Sequence, residues 1–235
     1  QDHPHERRIS FFLIEGYHDI EDSMSVFQHI VKEARRLQAH TAGSHDWSHT
    51  ERVLKTALYL GKKEKADQEI IRYAAILHDI ARPLEDASRG RICHAKKGAQ
   101  LAEKILKKYR FPEEKINAVV HCIETHRYRG KLRPLSREAK VLFDADKLDS
   151  IGAVGLARSF LFAGEVGAKV HDRHVDVSRT RPYTREDTAY REYLVKLQYV
   201  KNSMLTSEGR KIARSRHEYM KQFFKRLNEE IEGKR

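Results

Sequence analysis

At 235 residues, with 40% hydrophobic and 34% charged residues, the chain has the composition of a folded, highly charged protein and is not that of a disordered one. The length suits one domain with a sizeable core, or a domain carrying a helical extension, and only 12 Gly and 5 Pro argue for long helices with few turns. The net charge of +12 points to an anionic partner (a nucleotide, a polyphosphate or a nucleic-acid backbone) without choosing among them.

Residues 1–23 give no firm element. Their apolar stretch at 9–14 is too short, and too soon acidic, for a signal peptide. The His18-Asp19 pair sits among polar and turn-forming residues without an apolar helical face and is discounted as a site. From residue 24 to 37, Val26, Phe27, Ile30, Val31, Ala34 and Leu37 recur at helical spacing. Thr41 to Ser44 break that helix, and Ser44 or Asp46 can cap the next one. There His49, Val53, Thr56, Ala57 and Leu60 line one face, so His49 is expected to point inward. Asp67 opens a helix bearing Ile70, Ile71, Ala74, Ala75 and His78, with Pro83 closing it and a polar loop following over 84–91.

His94 opens a helix over 95–109, and Phe111-Pro112-Glu113-Glu114 marks the start of another. On that second helix Ile116, Val119, Ile123 and His126 share a face. His121 lies about 140° round from His126 and is expected at the surface. Residues 138–162 read as one buried helix holding Asp144, Asp146 and Asp149. Residues 164–187, rich in Gly, His and Arg, read as a loop whose charges suit a polyanion, an ordinary solvated loop or, as the alternative, a cover over a pocket. Two helices are expected after residue 188. Tyr190, Tyr193, Leu194, Leu197, Val200, Met204 and Leu205 stripe the first, and Ile212, Tyr219, Phe223, Leu227 and Ile231 the second. Cys93 and Cys122 cannot form a CxxC zinc site and suit a reducing compartment. No apolar run is long enough to span a bilayer, and the expected location is cytoplasmic.

The chemistry concentrates at residues 75–83, where an apolar helix ends in His78 and Asp79. Burying an imidazole beside a carboxylate is costly unless something pairs with both. A divalent metal does so, taking neutral nitrogen and charged oxygen together. A lone His-Asp pair is more often a helix-end histidine bonded to its neighbour. Here it is not alone: His49 precedes it and Ala145-Asp146-Lys147-Leu148 follows it, all on expected helices. Three carboxylates on one buried helix also need partners. Asp146 and Asp149 are one turn apart, while Asp144 points elsewhere.

This ordered set of a histidine, then His-Asp, then Ala-Asp-x-Leu resembles the HD-domain superfamily of metal-dependent phosphohydrolases. The stretches at 193–197, 207–210 and 223–224 are similar to the C-terminal helices of a bacterial and archaeal HD-hydrolase subgroup, so that the resemblance spans roughly residues 25–230. It implies an all-α HD-type helical bundle with a C-terminal helical extension. Residues 24–235 would form one HD-type domain, with a metal-binding core over 24–163, the basic loop over 164–187 and C-terminal helices over 188–235. Residues 1–23 would be an extension.

The resemblance further implies that His49, His78, Asp79 and Asp146 hold one metal. Asp79 would reach a second ion held by His94 and His126, in the places where dinuclear members carry two extra histidines; the alternative is that His94 merely begins a helix and one ion is bound. Mn, Fe, Co, Ni or Zn would suit this donor set, Mg less well. Catalytic duties would fall to Asp79, Arg82, Lys147 and Asp149. Arg82 and Lys147 would bind substrate phosphate, and Asp149 would orient a ligand or the attacking water. The plain alternatives are a helix-end arginine complementing the dipole for Arg82 and simple pairing with an acid for Lys147. The implied reaction is attack of an activated water on a phosphomonoester or phosphodiester, with a nucleotide as the expected substrate. Two other readings share the ligands: a di-iron oxygenase, and a non-catalytic nucleotide-sensing or nucleic-acid-binding module with a structural metal. Nucleic acid and a second copy of the chain stay open as partners. No Walker or dinucleotide glycine motif is present.

Overall fold

The computed structural model describes residues 15–39, 46–127, 132–174 and 176–234, with side chains from residue 25 onward, and every regular element among them is helical. The expected break at 41–44 and the candidate cap Ser44 lie outside the described residues, as does the apolar stretch at 9–14. Helix α1 (Glu15–Leu37) begins earlier than the expected residue 24 and buries Ile30 and Ala34. Helices α2 (Trp47–Glu64) and α3 (Gln68–Leu77) follow, each opened by the aspartate expected to cap it. Asp46 accepts from the backbone N–H of His49, and Asp67 from those of Glu69 and Ile70, satisfying N–H groups that have no partner within the helix.

Pro83 does not close α3. That helix ends at Leu77, a turn carries residues 78–81, and a short helix α4 (Arg82–Ala87) starts with Pro83 in its first turn, where a missing N–H is harmless. The expected polar loop is therefore helical up to Ala87. Helices α5 (His94–Lys108) and α6 (Glu113–Thr125) then pair along their length. Val53, Ala57, Leu60, Ile71, Leu77, Ala102, Leu106 and Ile123 meet in the core laid down by these elements. Burying each large aliphatic chain there contributes roughly 1.5–3 kcal/mol. His121 is half-buried, and its Nε2 accepts from the backbone N–H of Leu135 at 3.1 Å.

The expected single helix over 138–162 is two, α7 (Arg137–Leu148) and α8 (Gly152–Glu165). Gly152 has φ +78, and a Cβ there would lie 2.9 Å from Arg216 Cγ, so the chain turns at a position built for glycine. Residues 164–187 are irregular apart from a 3-10 turn at Val177–Arg179. Helix α9 (Ala189–Val195) gives way to a 3-10 segment, Leu197–Ser203, before the long α10 (Ser207–Ile231). On α10 the buried positions are Gly209, Ala213, Met220 and Phe224, whereas Tyr219 and Ile231 of the expected stripe are exposed.

Asp144 on α7 ties α10 into the bundle. Its fully buried carboxylate accepts from the backbone N–H groups of Leu205 and Thr206 at 2.8 and 2.7 Å and from Thr206 Oγ1 at 2.6 Å. A Cβ on Gly209 would come within 2.2 Å of that carboxylate, which explains the glycine two residues into the helix. One of the three aspartates thus finds its partners in backbone and hydroxyl donors rather than a cation.

Candidate metal centre

Every histidine of the expected ligand set sits at a helix end. His49 lies in the first turn of α2, behind the Asp46 cap, and His94 is the first residue of α5. His78 and His126 occupy the C-caps of α3 and α6. Asp79 follows His78 directly, and Asp146 lies in the last turn of α7. The ends converge because α2, α3, α6 and α7 cross in one core. All four histidines and Asp79 are buried.

Asp79 divides this constellation in two. Its Oδ2 lies 3.8 Å from His49 Nε2 and 3.7 Å from His78 Nε2. Its Oδ1 lies 3.5 Å from His94 Nε2 and 3.6 Å from His126 Nε2. Asp146 joins the first group, with Oδ1 3.4 Å from His49 Nε2. His49, His78 and Asp79 offer donor atoms within 4.8 Å of one another, and so do Asp79, His94 and His126.

The hydrogen bonding of the rings tests whether cations fit. His78 Nδ1 donates to Ala75 O at 2.7 Å, and His126 Nδ1 to Ile123 O at 2.6 Å, each to a carbonyl three residues back. His49 Nδ1 faces Asp149 Oδ2 at 2.8 Å, and His94 Nδ1 faces Glu85 Oε2. Each of these four partners is an acceptor, so each Nδ1 carries a proton and each ring turns its Nε2 toward Asp79. The Nε2 atoms of His49 and His78 are 3.4 Å apart, and those of His94 and His126 are 3.2 Å apart. Ring nitrogens facing at that distance, beside carboxylate oxygens, call for positive charge between them. Imidazole and carboxylate together suit a divalent transition metal.

The protonation states agree. Burial pushes Asp79 up, but His78, His126, His94 and Arg82 outweigh it and hold the carboxyl well below its ordinary range. Asp146 is likewise held down against burial, by Lys147 and His49. Burial lowers His78 to about 4, keeping it a neutral donor. His49 is raised despite burial, because Asp146 and Asp149 draw a proton into the place where a cation fits.

Two further carboxylates stand behind the rings. Asp149 accepts Arg52 through Nε at 2.8 Å and Nη2 at 2.9 Å, and Arg158 Nη1 at 2.9 Å, besides His49. It thus faces a histidine ring, and its carboxyl is held low against burial by His49 and Arg52. Glu85 accepts the backbone N–H of His94 at 2.8 Å and Arg127 Nη2 at 3.2 Å. Arg52, Arg158, Glu85 and Arg127 were not singled out from the sequence. Arg52 falls one turn after His49, a usable signal. Glu85 offers none, since it lies on a different helix from its ring, with a loop between them.

A cavity of about 260 Å³ opens against this centre. Its floor includes His49, Asp79, His94, His126 and Asp146, and five basic side chains line it: Arg82, Arg127, Lys147, Arg158 and Lys196. Arg82 Nη1 is 3.3 Å from His94 Nδ1, and Lys147 Nζ is 2.5 Å from Asp146 Oδ2. Arg82 is thus turned inward rather than left at an exposed helix end. Pro182, Tyr183 and Asp187 bring the 164–187 segment into the wall, which gives part of the expected solvated loop a place over the centre. Asp187 is fixed by Arg191 Nη1 at 2.7 Å and accepts the backbone N–H of Tyr183 at 2.8 Å. Among the described residues no helix is long and apolar enough to cross a membrane.

Comparison with known proteins follows the same outline. The HD domain family model matches residues 46–151. YpgQ of Bacillus subtilis is 38% identical over 197 residues, covering 82% of this chain and 87% of that protein. The structure of B. subtilis YpgQ in complex with ADP superposes with a TM-score of 0.68 at 31% identity, covering 89% of this chain and 100% of that one. An HD-superfamily hydrolase from Bacillus thuringiensis gives a TM-score of 0.69 at 28% identity, over 89% and 98% of the two chains.

Proposed function

The chain belongs to the HD-domain superfamily, whose solved relatives include hydrolases, and from that premise we propose that it is a metal-dependent phosphohydrolase acting on a phosphate ester, with a nucleotide as substrate. The observation that carries this reading is the pairing of two His/Asp clusters through Asp79 with a cavity lined by five basic side chains. The B. subtilis relative solved with ADP supports a nucleotide.

In this reading His49, His78, Asp79 and Asp146 hold one divalent ion, and Asp79, His94 and His126 a second. The ions supply an activated water and neutralise charge building on the phosphoryl oxygens. The chain's own side chains do the rest. Arg82 and Lys147, beside the ligands, bind and orient the non-bridging oxygens of the phosphate under attack. Arg158 and Lys196 draw the remaining negative charge of the substrate toward the cavity wall. Asp149 keeps His49 in one tautomer and one orientation. No serine, threonine or cysteine nucleophile is required. The five basic side chains suit a polyanionic substrate, and this favours the phosphohydrolase over an oxygenase sharing the same ligands.

The test is a panel of nucleotides, phosphomonoesters and phosphodiesters offered to chelated protein reloaded with Mn²⁺, Co²⁺ or Zn²⁺, with and without oxygen. Release of phosphate or pyrophosphate independent of oxygen, and lost in His78→Ala and Asp79→Ala, is expected. Hydrolysis that survives both substitutions, or turnover that requires oxygen, overturns the proposal.

A further inference from the structure

The two clusters around Asp79 are built to one plan. Each has one ring whose Nδ1 donates to a carbonyl three residues back, His78 to Ala75 O and His126 to Ile123 O. Each has one ring whose Nδ1 is held by a carboxylate from another element, His49 by Asp149 and His94 by Glu85. Each takes one oxygen of Asp79. The carboxylates are seated in turn by arginines: Asp149 by Arg52 and Arg158, Glu85 by Arg127. A carboxylate behind a ligating imidazole fixes the tautomer and strengthens the ring as a donor.

Glu85 has the more exacting position. One of its oxygens, Oε2, receives both the backbone N–H of His94 and the ring Nδ1, so a single atom sets the start of α5 and the orientation of the imidazole. The other oxygen takes Arg127 Nη2 at 3.2 Å. Arg127 directly follows His126, and its Nη1 donates to Sγ of Cys93, which directly precedes His94, at 3.3 Å. One guanidinium therefore spans both chain segments that bring rings to the second cluster. The two clusters are also unequal: Asp146 adds an oxygen to the first, whereas the second has Asp79 as its one carboxylate within reach among those described.

We infer that Glu85, seated by Arg127, is the positioning residue of the second cluster, and that it sets the affinity of the ion held by His94 and His126 without altering that of the ion held by His49 and His78. The inference rests on the two-ion reading above, but its test measures binding and needs no substrate.

Full-length protein freed of metal is titrated with Mn²⁺ and with Co²⁺, following bound ions per chain and, for Co²⁺, the visible absorption of each step. The unaltered chain should bind two ions, the weaker in the second cluster. In Glu85→Gln, which keeps an acceptor for the His94 N–H, that ion should weaken about 10–100-fold while the tighter one is unchanged. Arg127→Met, which leaves Glu85 in place, should weaken the same ion to a lesser degree. In a His94→Ala background Glu85→Gln should add nothing further. Equal weakening of both ions, or none in either variant with thermal unfolding intact, overturns the inference. If Glu85→Gln unfolds, the Arg127→Met titration decides alone. A protein that binds two ions with this dependence yet hydrolyses nothing in the substrate panel sinks the phosphohydrolase proposal and leaves the role of Glu85 standing.

Discussion

Replacing Asp144 with alanine separates a structural carboxylate from one proposed to bind metal on the same helix. The substitution removes the acceptor of the buried backbone N–H of Thr206, of the less buried N–H of Leu205, and of the Thr206 hydroxyl. The hydroxyl can turn to another acceptor, but the two N–H groups cannot. An orphaned buried donor costs about 1–3 kcal/mol, in full for Thr206 and in part for the more exposed Leu205, so the two together cost about 2–4 kcal/mol. Part of this is offset because the carboxyl no longer has to be buried, and burial already pushes its pKa up. A net loss of about 2 kcal/mol is expected, which for a chain of this length lowers the melting temperature by about 4–8 °C. Asp144→Asn keeps one carbonyl acceptor and should lose about half as much. Thermal unfolding of both variants, each with chelator and with saturating Mn²⁺, reads the effect. The stabilisation conferred by Mn²⁺ should match that of the unaltered chain, because Asp144 faces the start of α10 and not the histidines. An Asp144→Ala protein that melts within a degree or two of the parent refutes the cap. One that has lost its response to Mn²⁺ refutes the assignment of Asp144 to structure.

The buried imidazole of His78, lowered to about 4, makes the metal-free protein sensitive to acid. The folded chain keeps this ring neutral while the unfolded chain protonates it, so stability falls as pH drops from about 6.5 to about 4, by about 3 kcal/mol from this ring. Asp79 and Asp146, held low in the fold, act in the same direction below the ordinary carboxylate range. His49 acts oppositely: its raised pKa gives stability that is present below about 6.5 and lost as pH rises through the folded value. Urea unfolding of chelated protein across pH 4–8 should show the fall, and His78→Ala should flatten it. An unaltered slope in that variant would place the acid sensitivity elsewhere. Lys196, whose Nζ reaches Glu192 at 2.7 Å from within the cavity wall, should matter to substrate and not to folding. Lys196→Ala is expected to lower kcat/KM about 10–100-fold for a polyphosphate substrate, the worth of one charge-assisted hydrogen bond, with stability changed by less than about 0.5 kcal/mol. Unchanged kcat/KM would remove Lys196 from the substrate's path.

The ligand-bearing faces were legible because each imidazole lies in phase with an apolar stripe: His49 with Val53, Ala57 and Leu60, His126 with Val119 and Ile123. Periodicity that buries the stripe buries the ring. Where sequence reading failed, the local pattern fitted two structures equally well. Apolar residues flank Asp149, Ser150 and Ile151 on both sides, which hid the turn there; the clue was Gly152. Pro83 follows a helix as readily as it begins one, and here it does the latter. The spacing of three between Leu194, Leu197 and Val200 fits a 3-10 segment as well as an α-helix, and the chain changes from one to the other at Lys196. On α10, Phe223 and Phe224 are neighbours about 100° apart, so the choice between them rotates the whole stripe. The outer carboxylates were legible only where they shared a helix with a ligand. Asp149 did so, one turn from Asp146; Glu85 answers to a ring on a different helix.

The cavity's ligand-bearing floor falls within residues 46–151, the stretch that the HD domain family model matches. Its upper wall, from Gly155 through Phe162 and Tyr183 to Val200, comes from chain that the match does not reach. Under the proposed function, groups that would meet the phosphate lie in the matched stretch, while much of the surface that would meet the rest of the substrate is supplied by the chain after it.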